Sequence, residues 1–430
     1  MLVWTAMAAG LTPGRALALE DFRLDEAQSW IERRFAQSEP DGRRRWHSAN
    51  YLEFEFDERR NENLDRADNE DRRLRRLEVG IGGDYRLGSN HLLHAVLELA
   101  DNRRSRADRA GLHRTELNIK QLSWQWRIAP RDALLVLGRQ TVEDDREWLF
   151  DEELDGLGLA WRNGSSGLIG FVGRESLFAD DLLDERNPDK PDVAYVRAYR
   201  ALTGIGQASL YWVRIDERGR DDDERLNFVG GRATGRLPGR LDFWVEGALV
   251  RGDYGQRPVS GSGFDIGVTR AFKSHPWRPS ITLGWAMGSG DDGGATDHAF
   301  RQTGLQGNSG RLDGVSSVDY YGHALDPELS NLAIATLGVG VRPDPDWSVD
   351  LLLHRYSQRV AAPTLRDSRL DERADGVHRR LGWGADLNFG WRTDRRLKID
   401  ASFGYFRPGA AFDATASAIR RFELTLHWRY

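Results

Sequence analysis

From Asn50 to the carboxy-terminus, apolar and polar residues alternate with a period of two, the repeat that puts one set of side chains on each face of a β-strand. Leu52, Phe54 and Phe56 alternate with Glu53, Glu55 and Asp57, and Leu77, Val79 and Ile81 with Glu78, Gly80 and Gly82. The final stretch sets Phe422, Leu424, Leu426 and Trp428 against Arg421, Glu423, Thr425, His427 and Arg429. Similar segments recur along the whole chain, and counting them predicts about eighteen strands, an even number as a single-chain bacterial barrel requires.

The connections carry as much information as the strands. Tight ones are predicted at Gly88 to Asn90, Ala129 to Asp132, Asn163 to Ser166, Thr203 to Gly204, Pro238 to Arg240, Arg342 to Asp346 and Arg392 to Arg396. Long, charged ones lie at Glu58 to Leu74, Asp101 to Arg114, Arg174 to Asp192, Gly288 to Asn331 and Ser357 to Arg380. Every tight connection follows an even-numbered strand. That parity belongs to an all-β, antiparallel, up-and-down transmembrane barrel with short periplasmic turns, long extracellular loops and both termini inside. A sandwich, propeller or solenoid has no reason to keep it, and no fixed-period repeat supports one.

Composition sharpens this picture. A charged fraction of 30% and a mean hydropathy of -0.60 exclude helical membrane spans, which need apolar runs of about 20 residues, whereas a barrel hides its polar residues in the lumen. The 15 Trp, 11 Tyr and 17 Phe are enough for interfacial aromatic girdles. With no cysteine, disulfides and thiolate metal sites are excluded. The net charge of -6 offers no basic excess for nucleic acid.

Residues 1–18 read as a truncated secretory leader, with the apolar run Leu2 to Leu11 and the small-x-small pattern Ala16, Leu17, Ala18, although a basic leader start is missing. Residues 19–49 read as a periplasmic segment with a short helix at Asp25 to Gln37, and residues 50–430 as the barrel.

No catalytic signature stands out. Ser402, His354 and His427 are the ingredients of a barrel hydrolase, but no Gly-x-Ser-x-Gly elbow accompanies them and the plainer reading is lumen polarity. Gly288 to Asp297 is rich in carboxylates that suit a hard cation, without EF-hand spacing, as is Asp221 to Glu224; solvated loops are the plainer reading. No cofactor is called for. The runs Arg72, Arg73, Arg75, Arg76 and Arg103, Arg104, Arg106 fall near outer loops, where lipopolysaccharide phosphates are within reach, but interleaved acids favour simple solvation.

With the apolar phase toward lipid, the inward set mixes signs: Lys120 and Arg197 with Glu246, Asp265, Asp350 and Asp400. Interleaved charges make a transverse field across a wet path rather than a ring selecting one ion. The phase of Arg197, between Tyr195 and Tyr199, stays open between lumen and interface.

Three stretches resemble the alginate-export family of outer-membrane proteins. They are Phe300, Gln302, Thr303, Gly304, Leu305 and Asn308 followed by Glu328 to Leu332; Leu137 to Gln140 with Glu143, Asp144, Trp148 and Asp151; and Phe406 to Gly409 before the Trp428, Arg429, Tyr430 ending. The resemblance implies a monomeric eighteen-stranded barrel conducting an anionic exopolysaccharide, with periplasmic secretion partners. It also implies attractive charges at Lys120, Arg139 and Arg311; the lumen reading adds Arg197 to these and sets Asp151, Glu246, Asp265 and Asp400 as the opposing wall. Asp400 and Ser402 stand where the family has arginines, and the turn Arg392 to Arg396 is short where the alginate exporter has a long periplasmic loop. A diffusion porin for small nutrients is the alternative within transport; an outer-membrane hydrolase or an adhesin barrel is the rival outside it.

Overall fold

In the computed structural model, residues 22–23, 45–65, 70–128, 132–144, 146–177, 181–184, 190–218, 223–366, 368–393 and 396–430 are described. The expected leader and the expected helix at Asp25 to Gln37 lie outside them.

Eighteen antiparallel strands form a closed barrel. In chain order they are β1 (Tyr51–Arg60), β2 (Arg72–Leu87), β3 (His91–Arg106), β4 (Leu112–Ile128), β5 (Ala133–Glu143), β6 (Asp151–Asn163), β7 (Ser166–Arg174), β8 (Asp192–Leu202) and β9 (Gly206–Glu217). There follow β10 (Glu224–Leu237), β11 (Leu241–Tyr254), β12 (Arg257–Ala271), β13 (Ser280–Gly288), β14 (Leu332–Asp344), β15 (Trp347–Gln358), β16 (Arg380–Thr393), β17 (Leu397–Pro408) and β18 (Ile419–Arg429). Each pairs with its neighbour in sequence, and β18 closes on β1 from Arg420 opposite Arg60 to Arg429 opposite Tyr51. Closure removes the unpaired edge, which in hydrocarbon would cost several kcal/mol per orphaned backbone group. Two short pieces extend the sheet: Trp46–Ser48 continues the pairing of β1 along β2, and Phe22–Arg23 lies parallel to the end of β5.

The period of two sorts the side chains as anticipated. Leu77, Ile81, Leu97, Leu99, Leu210, Val229, Leu249, Leu283 and Leu337 stand exposed on the outer wall, with Trp126, Trp161, Trp391 and Trp428 near the periplasmic rim. Their strand neighbours Glu78, Glu98, Arg139, Arg197, Glu246, Asp265, Asp350 and Asp386 are turned inside. A cation on the lipid face costs about 2–4 kcal/mol at mid-membrane, so the register cannot slip by one residue without moving every such charge into lipid.

Two expectations are corrected. The loop parity has one exception, because β11 and β12 meet on the outer side in a tight turn at Gly255, whose φ of 57° suits glycine, and Gln256. The basic runs are also not loop residues. Arg72 to Arg76 belong to β2 and Arg103 to Arg106 to β3, strands of 16 residues each, well beyond the roughly 9–11 needed to span the bilayer. The strands continue above the membrane because cross-strand ion pairs, such as Arg73 with Glu58 at 2.6 Å, support the ladder there.

The lumen is not empty. The long connection between β13 and β14 folds inward, with Phe300, Leu305, Val315, Val318, Tyr321, Leu325 and Leu329 buried. Its Val315 amide donates to Ser348 Oγ at 2.7 Å, near the periplasmic start of β15, so the loop crosses most of the barrel height. Wall glycines make room for it: a Cβ on Gly390 would lie 2.4 Å from the Ser316 nitrogen, and one on Gly404 would lie 2.7 Å from the Ala324 nitrogen.

Candidate functional site

The inserted loop, residues 289–331, is clipped to a second one, residues 144–150, and both to the wall. Asp144 organises the shorter loop: its Oδ1 accepts from the Trp148 amide at 3.2 Å and its Oδ2 from the Leu149 amide at 2.8 Å. Arg232 on β10 bridges Asp144 and the wall residue Glu246 at 2.6 Å each. Arg146 donates to Asp265 at 2.9 Å while its guanidinium lies between the rings of Tyr320, 3.7 Å, and Trp244, 4.2 Å. Asp265 also accepts from Trp244 Nε1 at 2.7 Å and Tyr321 Oη at 3.1 Å, and Trp148 Nε1 donates to Tyr321 Oη at 2.8 Å. One carboxylate therefore ties the wall to both loops.

This sorts the expected path residues into two groups. Arg139, Arg197, Glu246 and Asp265 are all at least nine-tenths buried. Arg139 pairs bidentately with Asp155, at 2.7 and 2.8 Å, and also reaches Ser176 and the Ile119 carbonyl, each at 3.1 Å. Arg197 faces inward with Tyr195 and Tyr199, its guanidinium 5.9 Å from the Tyr199 ring, while Val196 faces out. Lys120, Asp151, Arg311 and Asp400 keep contact with water. Lys120 pairs with Glu153 at 2.7 Å within reach of the charges of Glu98 and Glu78, and Asp400 pairs with Lys398 at 2.6 Å.

Toward the outer end, a cavity of about 430 Å³ is lined by Glu147, Asp151, Asp319, Asp326, Glu328 and Glu423, with only Arg369 and Arg421 as cations, and by Gln306, Asn308 and Ser309. Burial first, and the neighbouring Asp151 charge second, push the Glu147 carboxyl up to about 8. Burial opposes ionisation of Asp319 too, but the hydrogen bond and charge of His323, with Arg421 behind, bring it down to about 2.

The periplasmic end gathers cations, with Asp313, Asp346, Asp350 and Asp400 set among them. Arg311, at the deep turn of the inserted loop, lies in the field of Arg392 and Lys398 from β16 and β17, and Arg342 from β14 lies in that of Arg392. Lys273 adds a cation 3.8 Å from Asp313. Sequence reasoning missed Arg342 and Arg392, and also Arg146, Arg232 and Asp155. The first two flank predicted tight turns, which was the available signal; the other three gain meaning only from partners far along the chain.

The hydrolase ingredients are not assembled. His354 engages Asp386 at 3.1 Å and Thr336 at 3.0 Å, His427 engages Glu53 at 2.7 Å, and Ser402 donates to Asn388 at 2.8 Å. The acidic loop after β13 meets arginines: Asp291 holds Arg257 at 2.7 and 2.9 Å, and Asp297 holds Arg301 at 2.5 Å. Of the second acidic run, Asp221 and Asp222 lie outside the described residues, while Glu224 meets Arg301 and Arg366.

The alginate-export profile matches residues 51–423, from the first barrel strand into the last. The chain belongs to the alginate-export family. It is 26% identical over 269 residues to the alginate production protein AlgE of Pseudomonas aeruginosa, covering 52% of each chain. It is 25% identical over 181 residues, 36% of each, to the AlgE of Azotobacter vinelandii. The matched regions thus span about half or less of these curated relatives. Among solved structures, OccK9 (OpdG) of Pseudomonas aeruginosa superposes with a TM-score of 0.57 at 14% identity, over 89% of this chain and 98% of that one, which establishes the shared barrel fold. Family and fold are those of an outer-membrane channel, and the bacterial outer membrane is where this barrel resides.

Proposed function

We propose that this chain is a passive exit channel for an acidic exopolysaccharide, with the inserted loop narrowing the path and no bond chemistry in the lumen. The observation that carries the proposal is the cluster of cations around the exposed Arg311 at the periplasmic end, set against an outer cavity lined mostly by carboxylates. A polyanion is captured where Arg311, Arg342, Arg392 and Lys398 attract it and then meets the mostly acidic lining of the outer cavity, so supply from the periplasm sets direction. Lys120, Asp151 and Asp400 line the wet path in this reading. Arg139, Arg197, Glu246 and Asp265 hold its walls and loops in place. The secretion apparatus that would feed the mouth supplies the free energy, and the barrel acts as a monomer.

Planar-bilayer recording with a polyuronate tests this. Block from the periplasmic side at concentrations at least tenfold lower than from the outer side, with neutral dextran inert, is the expected result. Equal block from both sides sinks the capture argument. A current insensitive to polymer but reduced by small carboxylates instead supports the small-nutrient porin.

A further inference from the structure

The outer ends of β1 to β4, together with β18, carry an arrangement of charge that the lumen does not use. Above the last outward apolar residues, Phe422, Phe56, Leu77 and Leu99, the outward positions become charged and mostly basic: Arg420, Arg60, Arg75, Arg73 and Arg103, with Glu58 and Asp101 between them. The cross-strand register places Arg420 directly opposite Arg60, Arg75 opposite Arg103, and Arg103 opposite His113. Residues directly opposite in an antiparallel pair share a face, and like charges in that position destabilise the sheet. Two acids answer part of the charge: Glu58 holds Arg73 at 2.6 Å and Arg60 at 3.0 Å, and Asp101 holds Arg103 at 3.0 Å and His113 at 2.6 Å. Arg75, 6.0 Å from the Phe56 ring, and Arg420 have no carboxylate among these pairings.

Other described arginines of the outer wall are not opposed in this way. Arg214 faces Ala194 and Asn227, Arg251 faces Asn227 and Ser260, Arg225 faces Asp216 and Asp253, and Arg355 and Arg407 flank Trp383. Among the described residues, the like-charged pairs on the outer face lie on one side of the barrel, where three successive strands are 16, 16 and 17 residues long.

We infer that this patch is a docking surface for the phosphorylated headgroup of an outer-leaflet glycolipid, whose acyl chains lie on the apolar wall directly below. Phosphate accepts two parallel hydrogen bonds from a guanidinium, and one headgroup set between Arg75 and Arg103, or between Arg60 and Arg420, turns a repulsive pair into a shared clamp. The position selects a lipid over a free anion, because Arg75 and Arg420 stand one outward position above the apolar Leu77 and Phe422, and Arg60 and Arg103 two above Phe56 and Leu99. This sharpens the expectation of solvated loops: the arginines of β2 and β3 separate by face, and those on the outer face are at headgroup height.

The test is lipid retention. The barrel is reconstituted in nanodiscs containing bisphosphorylated lipid A, its dephosphorylated form, or phosphatidylglycerol, and bound lipid is counted by native mass spectrometry. The variant Arg75→Gln/Arg103→Gln/Arg420→Gln is compared with Arg214→Gln/Arg251→Gln, which lowers outer-wall charge on the other side. Expected is at least tenfold weaker retention of phosphorylated lipid A in the triple variant alone, with the dephosphorylated lipid bound equally by all proteins. Heat-modifiable migration on gels confirms that each variant is folded, and the triple variant should melt no lower than the parent, since it removes like-charge opposition. Equal retention by all variants, equal loss in both, or displacement of the bound lipid by polyuronate overturns the inference.

Discussion

Replacing Arg146 with Met should release the loops from the wall without unfolding the barrel. The side chain lies over 90% buried and makes a 2.9 Å hydrogen bond to Asp265. Removing one partner of a buried ion pair costs about 3–5 kcal/mol, because the other charge is left without compensation. Here Asp265 keeps donors from Trp244 and Tyr321, which argues for the low end, about 3 kcal/mol. The lost contacts with the Tyr320 and Trp244 rings add roughly 1 kcal/mol. A total near 4 kcal/mol shifts the docking equilibrium of residues 144–150 by about three powers of ten. The barrel ladder is untouched, so folding by gel migration should persist while single-channel conductance rises and becomes noisier. Arg146→Met/Asp265→Asn should regain part of the quiet state, since removing both charges leaves none stranded. Parental conductance and noise in Arg146→Met would refute the latch, whatever the double variant does.

Three further outcomes follow from the same geometry. Arg139→Met should lower thermal stability, by about 3–5 kcal/mol through stranding Asp155, yet leave polyuronate block unchanged, whereas Arg311→Gln should leave the melting temperature unchanged and weaken block roughly fivefold, the worth of about 1 kcal/mol per charge in water; bilayer recording and calorimetry separate the two. Burial beside Asp151 holds the Glu147 carboxyl up to about 8 in the docked loop against 4.5 ordinarily, even though Ser309 donates to it at 2.7 Å, so docking of this carboxyl is fully supported below about 4.5 and that support is lost as pH rises through about 8. Hydrogen exchange of residues 305–309 should speed up across that window, and Glu147→Gln should abolish the pH dependence. Gly390→Ala, whose Cβ would meet the Ser316 nitrogen at 2.4 Å, should displace the deep turn of the inserted loop and raise conductance, while the corresponding change at Gly164, which has nothing within 4 Å but a φ of 59°, should affect only stability, by about 1 kcal/mol.

Alternation alone determined the barrel. A period of two with a one-sided apolar face permits one burial solution in a membrane, so the strand number and the face of many charges were legible, down to Glu423 and His427 on β18, while the phase of Arg197 stayed open and Arg232 and Asp155 passed unnoticed. Connection lengths were legible in outline, failing at Gly255 because a strand above the membrane no longer needs apolar residues and its alternation fades. What the interior charges do was decided by tertiary structure. Arg139 and Arg311 look alike along the chain, yet one is buried against Asp155 and the other lies exposed at the periplasmic end, and Arg146 finds Asp265 across 119 positions. Pairing between distant strands and an inserted loop depends on which side chains closure of the barrel brings within a few ångströms. Local patterns encode the face a side chain takes; only the closed wall and the loop folded within it determine which charge it meets.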